Sequence, residues 1–182
     1  MNDQPNHQME PEEEPVQPKR EVDQFELENY LRQVRAEQNL GLGIVGGLIG
    51  MAIGAALWAA ITVATDYQLG LMAIGVGFLA GAGVRLLGKG FETSFGVVGG
   101  FLALAGCVIG NTLTIAIVLA QQFDVPFFSV LTNLDVPTIV ELMTLTFSSI
   151  DLLFYGLAIY FGYRYAFRQI SEQELARFVR PA

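Results

Sequence analysis

The sequence predicts an all-α membrane protein of four transmembrane helices with both ends in the cytoplasm, and three observations carry that expectation. Hydrophobic residues make up 52% of the 182-residue chain and charged residues 15%, against roughly 25% charged in an ordinary soluble domain. Four apolar stretches each approach the ~20 residues that a helix needs to cross a bilayer core of about 30 Å. Read as four crossings, they leave all ten Lys and Arg residues on one side of the membrane, as expected of cytoplasmic loops, which collect basic side chains.

Taken in order, residues 1–20 hold four of the seven prolines and the run Glu12, Glu13, Glu14, with few groups that could pack. They read as a disordered acidic tail. In residues 21–40 the side chains Phe25, Leu27, Leu31, Val34 and Leu40 recur at roughly helical spacing among Glu, Gln and Arg. This is the pattern of an amphipathic juxtamembrane helix lying on or leading into the membrane surface; the alternative is a docking helix for a cytoplasmic partner.

Residues 41–168 form the expected four-helix transmembrane domain. The first span, 41–64, has no charge; the second lies between Asp66 and Arg85; the third is charge-free from 93 to 123. The fourth, 148–167, carries Asp151 and Arg164 near its ends. Helices are required because lipid offers no partner to an unpaired backbone amide. Lys19, Arg20, Arg32 and Arg35 precede the first span, Arg85 and Lys89 lie in the second turn, and Arg164, Arg168, Arg177 and Arg180 close the fourth, whereas the connections at 65–69 and 121–147 contain neither Lys nor Arg. The predicted topology is N-in and C-in, with residues 169–182 as a cytoplasmic C-terminal tail. A polar first 40 residues argues against a cleavable signal peptide, and the first span is the expected targeting signal.

The outer connection is too long for a simple turn between antiparallel helices. Asp135, Val136 and Pro137 mark a helix start, with proline in the first turn where its missing N–H costs nothing. Ile139, Val140, Leu142, Met143, Leu145 and Phe147 then define a short apolar helix, too short to cross and expected to lie along the outer surface or dip into it.

Eighteen of the twenty glycines fall between Gly41 and Gly110. Gly43 and Gly47, Gly46 and Gly50, Gly50 and Gly54, Gly77 and Gly81, Gly96 and Gly100, and Gly106 and Gly110 are each four apart. Such spacing opens a groove on one helix face, and close backbone approach drives association where lipid supplies no hydrophobic force. Gly47, Gly50, Gly77, Gly81 and Gly100 are the candidate packing positions, within one chain or between copies in a homo-oligomer. The string GIVGG at 43–47 matches GVVGG at 96–100, and Gly75 and Gly81 match Gly156 and Gly162, which suggests two duplicated helical hairpins.

Polar residues in the spans are the candidate functional positions. Asp151 is either an ionisable group one turn inside the membrane or a first-turn acid favoured by the helix dipole; the second is the leading reading. Asn111, with Thr112 and Thr114, is expected to make hydrogen bonds between helices. Trp58, Tyr67, Tyr163 and Tyr165 fit interfacial belts. Cys107 reads as a small buried apolar residue, and His7, the one histidine, lies in the N-terminal tail. Gly41, Gly43 and Gly46 spell a dinucleotide fingerprint without the required preceding strand, and Gly83, Gly88 and Lys89 imitate a phosphate loop in which Gly90 replaces the Ser or Thr; both are chance products of glycine-rich spans. No catalytic set, cofactor, metal-ligand set or nucleic-acid partner is expected.

The stretch AALWAAITVATDYQLGLMAIGVGFLAGAGVR at 55–85, with GCVIGNTLT at 106–114 and IDLLFYGLAIYFGYRYAF at 150–167, resembles a widespread group of small bacterial four-span membrane proteins. The resemblance covers residues 41–168 and implies a bacterial inner (cytoplasmic) membrane, a variable cytoplasmic N-terminal part and no assigned activity or site residues. The expected role is a non-enzymatic scaffold or accessory subunit whose partners are the lipid bilayer and a membrane or cytoplasmic protein. The alternative is a small transporter or channel with Asp151 and Asn111 along its path.

Overall fold

The computed structural model describes residues 21–22, 24–65, 70–146, 148–169 and 179–180; the acidic tail, Asp66, Tyr67 and most of the C-terminal tail lie outside these. The chain divides into two compact units, residues 1–31 with 170–182, and residues 32–169. In the first, β1 (Glu21–Val22) pairs antiparallel with β2 (Val179–Arg180), Glu21 opposite Arg180 and Val22 opposite Val179. All longer elements are helices. The first of these, α1 (Gln24–Ala36), continues into the second unit; Leu27, Tyr30, Leu31 and Val34 form its less exposed stripe, while Phe25 is 74% exposed.

The second unit is built on α2 (Leu40–Thr65), α3 (Met72–Gly88), α4 (Thr93–Phe123) and α7 (Ser149–Tyr165). Helix α2 packs on α3 and α4, and α7 packs on the same two from the other side, with α3 also touching α4. Asn39 starts α2 by accepting the Leu42 N–H at 3.0 Å, as an N-cap side chain should. Lys89 ends α3 and Asp124 ends α4 in the left-handed conformation, φ 49° and 51°, their N–H groups returning to the carbonyls of Arg85 and Ala120.

Packing is inverted relative to a soluble bundle. The interior holds small side chains, with Ala73, Ala80, Ala103, Cys107 and Ala158 all 0% exposed, while Leu152, Phe101 and Leu86 on the outside are 68–69% exposed. An exposed surface this apolar needs an apolar solvent, and small residues at helix contacts are how helices associate in lipid.

Where the sequence predicts four crossings, length and composition bear out two among the described residues, α2 and α4. A third is reached if α5 (Phe127–Asn133) and α6 (Val136–Thr146), bent by 104° at their break, count as one broken span. Helix α3 is apolar but has 17 residues, a rise of roughly 25 Å. Helix α7 is equally short and includes Asp151 and Arg164. The start of α6 is as expected: Asp135 accepts the Thr138 N–H at 3.0 Å, and hydrogen bonds from Thr138 hold its carboxyl below the usual range. Helix α5, which no pattern in the sequence singled out, begins after Pro126.

Candidate functional site

Two polar clusters lie at opposite ends of the glycine-packed bundle. At the end where α7 begins, the Asn111 side-chain amide on α4 donates to the Tyr155 hydroxyl on α7 at 2.6 Å. Tyr155 stands one helical turn beyond Asp151, on the same face. The Asp151 carboxylate accepts the Ser148 N–H at 2.8 Å, and the Asp151 N–H returns to the Ser148 carbonyl at 2.9 Å. Asp151 therefore occupies the third position of α7 and closes a capping box, in agreement with the first-turn reading and with the favourable end of the helix dipole.

Asn111 is thus brought to Tyr155, a residue that no sequence pattern singles out and that shares a helix face with Asp151; the spacing of four between 151 and 155 was the available signal. Thr112 and Thr114 do not extend this contact. Their hydroxyls donate to the carbonyls of Val108 and Gly110 in their own helix, at 2.8 and 2.9 Å, because a threonine in a helix reaches the carbonyl four residues back more readily than a neighbouring helix.

Trp58 corrects another expectation. It is 2% exposed and belongs to the core cluster, so it is no interfacial belt residue. Its ring packs over Gly110, where an added β-carbon would sit 3.1 Å from the indole; the missing side chain makes the room. The Trp58 indole nitrogen and the Thr62 hydroxyl, one turn apart on α2, are buried without a hydrogen-bond partner among the described residues.

The opposite end gathers the α1–α2 junction, the α3–α4 turn and the end of α7. The Asn39 N–H donates to the Gly88 carbonyl at 2.9 Å; the Gln38 side chain donates to Glu92 at 2.7 Å and accepts the Phe91 N–H at 3.3 Å. Arg168 donates its backbone N–H to the Gly90 carbonyl at 2.9 Å, pairs with Glu37 at 3.1 Å and lies 6.0 Å from the Phe91 ring centre. Phe95, 1% exposed, plugs the bundle beneath this turn. A β-carbon on Gly90 would overlap its ring, and one on Gly88 would come within 2.8 Å of it. The phosphate-loop imitation is accordingly a helix end: Gly83 and Gly88 lie in α3 and Lys89 caps it.

The candidate packing glycines all meet other helices of the same chain. A β-carbon on Gly50 would overlap the Leu79 carbonyl, one on Gly77 the Ala158 carbonyl, and one on Gly81 would lie 2.5 Å from the Gly162 carbonyl oxygen. A β-carbon on Gly47 would stand 2.5 and 2.6 Å from the Leu102 and Val84 side chains, and one on Gly100 3.3 Å from Ile159. Two of the close approaches are reciprocal, Gly46 with Gly83 between α2 and α3, and Gly99 with Gly162 between α4 and α7. Sequence spacing alone does not reveal these pairs, because which glycines meet depends on where two helices cross.

No group of three or more His, Cys, Asp or Glu side chains is arranged to hold a metal ion among the described residues. Fold and clusters together define the class: a bundle of apolar helices compatible with a membrane, packed backbone to backbone and tied by polar contacts at each end. Comparison with protein-family models, with curated proteins and with solved structures returns no match.

Proposed function

We propose that this chain is a four-span protein of a bacterial inner membrane, with both termini in the cytoplasm, that acts without catalysis as a scaffold or accessory subunit of a membrane complex. The filled interior carries this reading: along the bundle, Ala73, Ala80, Val84, Ala103, Cys107 and Ala158 are 0% exposed, and the helices touch through glycine backbones. A bundle so packed suits a fixed surface for a partner better than a path for a solute. The orientation is supported by the ends of the helices. Arg32, Arg35, Arg85, Lys89, Arg164 and Arg168 all stand at the end where α2 and α4 begin and α3 and α7 finish, and basic residues mark the cytoplasmic side. Helices α3 and α7, at 17 residues each, reach the lower limit for a crossing; α5 and α6 then rest on the outer surface. The resemblance to small bacterial four-span proteins supplies the inner-membrane setting.

Mild-detergent purification of the tagged full chain from its native membrane, followed by mass spectrometry, tests the role. A stoichiometric membrane or cytoplasmic companion that survives Asp151→Asn is the expected result; a homo-oligomer alone overturns it. One observation favours the transporter reading: the Trp58 nitrogen and Thr62 hydroxyl are polar, buried and unsatisfied among the described residues, an arrangement that a passing solute or water could complete.

A further inference from the structure

At the same end of the bundle as the Arg168 cluster, the last turn of α7 carries a second arginine that is differently employed. Arg168 is held by Glu37, by the Gly90 carbonyl and near Phe91. Arg164 is exposed and has neither an ion pair nor a side-chain hydrogen bond among the described residues. It lines a pocket of about 310 Å³ with Tyr160, Phe161, Tyr165 and Gln169. The walls are fixed by ring contacts: Phe161 stacks on Tyr165 at 5.9 Å and 14°, Tyr160 meets Phe161 edge-on at 5.5 Å, and Phe78 of α3 meets Tyr165 edge-on at 4.8 Å. An arginine unpaired among the described residues, lining one pocket with two tyrosines and a glutamine, offers donors suited to a phosphate.

The surface leading from the pocket toward the bilayer centre is apolar. Leu153, 60% exposed, and the half-buried Leu157 continue the face of Tyr160 and Phe161 along α7. Gly156, one turn before Tyr160, has open space where a side chain would stand. We infer that this pocket binds the phosphate headgroup of an anionic phospholipid, with Arg164 on the phosphate and an acyl chain in the notch at Gly156 beside Leu153 and Leu157. The apolar track distinguishes a lipid from a free phosphate, which would need only the polar end. The inference rests on the membrane reading above, which places this end of α7 at the cytoplasmic interface, where anionic lipids and basic residues meet.

Native mass spectrometry of the full chain in detergent, titrated with phosphatidylglycerol or phosphatidylcholine, tests the site. Phosphatidylglycerol is expected to stay bound in preference to phosphatidylcholine. Arg164→Gln should weaken its retention roughly tenfold, the loss of one charge-assisted contact, while Arg164→Lys restores most of it. Gly156→Leu should weaken retention with Arg164 intact. Equal retention by Arg164→Gln, or no preference between the lipids, overturns the site; glycerol phosphate binding as well as the lipid overturns the lipid assignment. Unchanged unfolding midpoints show that the variants fold. A Lys89→Cys probe in a Cys107→Ser background separates this from the topology: labelling from outside intact cells refutes the cytoplasmic orientation, whereas lipid retention in detergent decides the pocket.

Discussion

The α2–α3 and α4–α7 hairpins are closed by the same device and finished differently. Each has a reciprocal glycine contact, Gly46 with Gly83 in the first and Gly99 with Gly162 in the second, and Gly46 and Gly99 occupy equivalent places in the GIVGG and GVVGG strings. The first hairpin relies on backbone approach along its length, from Gly43 near Gly88 to Gly54 near Val76. The second adds a polar fastening, Asn111 to Tyr155, and its long connection carries α5 and α6. Its Gly162 also receives Gly81 of α3, so one glycine seats α7 against two helices. Equal sequence spacing therefore yields unequal structural roles, because the number of helices meeting at a glycine is set by the crossing and not by the motif.

Leucine at Gly46 or Gly99 should produce the largest effect, since a β-carbon at either place would overlap a backbone carbonyl that cannot rotate away. Overpacking costs about 1–3 kcal/mol and more where backbone must move, so both variants should unfold at clearly lower denaturant in a detergent-based titration followed by circular dichroism. A strong loss for one and none for the other would break the equivalence of the hairpins. Gly75→Ala and Gly156→Ala provide the contrast. Neither position has a neighbour within 4 Å, so alanine should be neutral or stabilise by up to about 1 kcal/mol through helix propensity.

The polar fastening should matter less. Asn111→Ala is expected to cost about 0.6 kcal/mol, with about 1.7 as the upper end for hydrogen bonds between membrane helices. A double-mutant cycle with Tyr155→Phe isolates the bond, and additive losses would remove its role in distinguishing the second hairpin. Smaller again is Arg168→Gln, because the Glu37 pair is 27% and 43% exposed and such pairs contribute about 0.2–1 kcal/mol before screening. Its loss should shrink further in high salt, which an unfolding series at two ionic strengths will show.

The smallest effect concerns the helical connection between α4 and α7, which has no counterpart in the first hairpin among the described residues. The Asp135 carboxyl is held below its ordinary range by Thr138, so its contribution to the start of α6 is present above that range and is lost as pH falls through the folded value. Lower protection of the Thr138 amide at low pH, measured against its intrinsic exchange rate at each pH and absent as a pH dependence in Asp135→Asn, is the expected signature in hydrogen-exchange measurements.

Legibility in the sequence follows the range of the interaction. The starts of α6 and α7 were readable because Asp135 and Asp151 act on backbone within three residues of themselves. The inward turn of Trp58 was not, since it depends on Gly110 of another helix leaving space. The same holds for Tyr155, whose partner Asn111 is 44 positions away, and for Thr112 and Thr114, where a local carbonyl won over a distant helix.

By itself, the sequence determined that this protein is made of apolar helices, where several of them begin, and that its basic residues fall near helix ends. Those properties depend on hydropathy, capping and spacing, all local quantities. Only the tertiary structure decided which glycines touch, that Gly162 meets both α3 and α4, that Asn111 fastens to Tyr155, and that Arg168 is paired with Glu37 while Arg164 has no ion pair among the described residues. Each of these depends on the angle and height at which two helices cross. That geometry is fixed by close packing of surfaces far apart in the chain, and no local pattern encodes it.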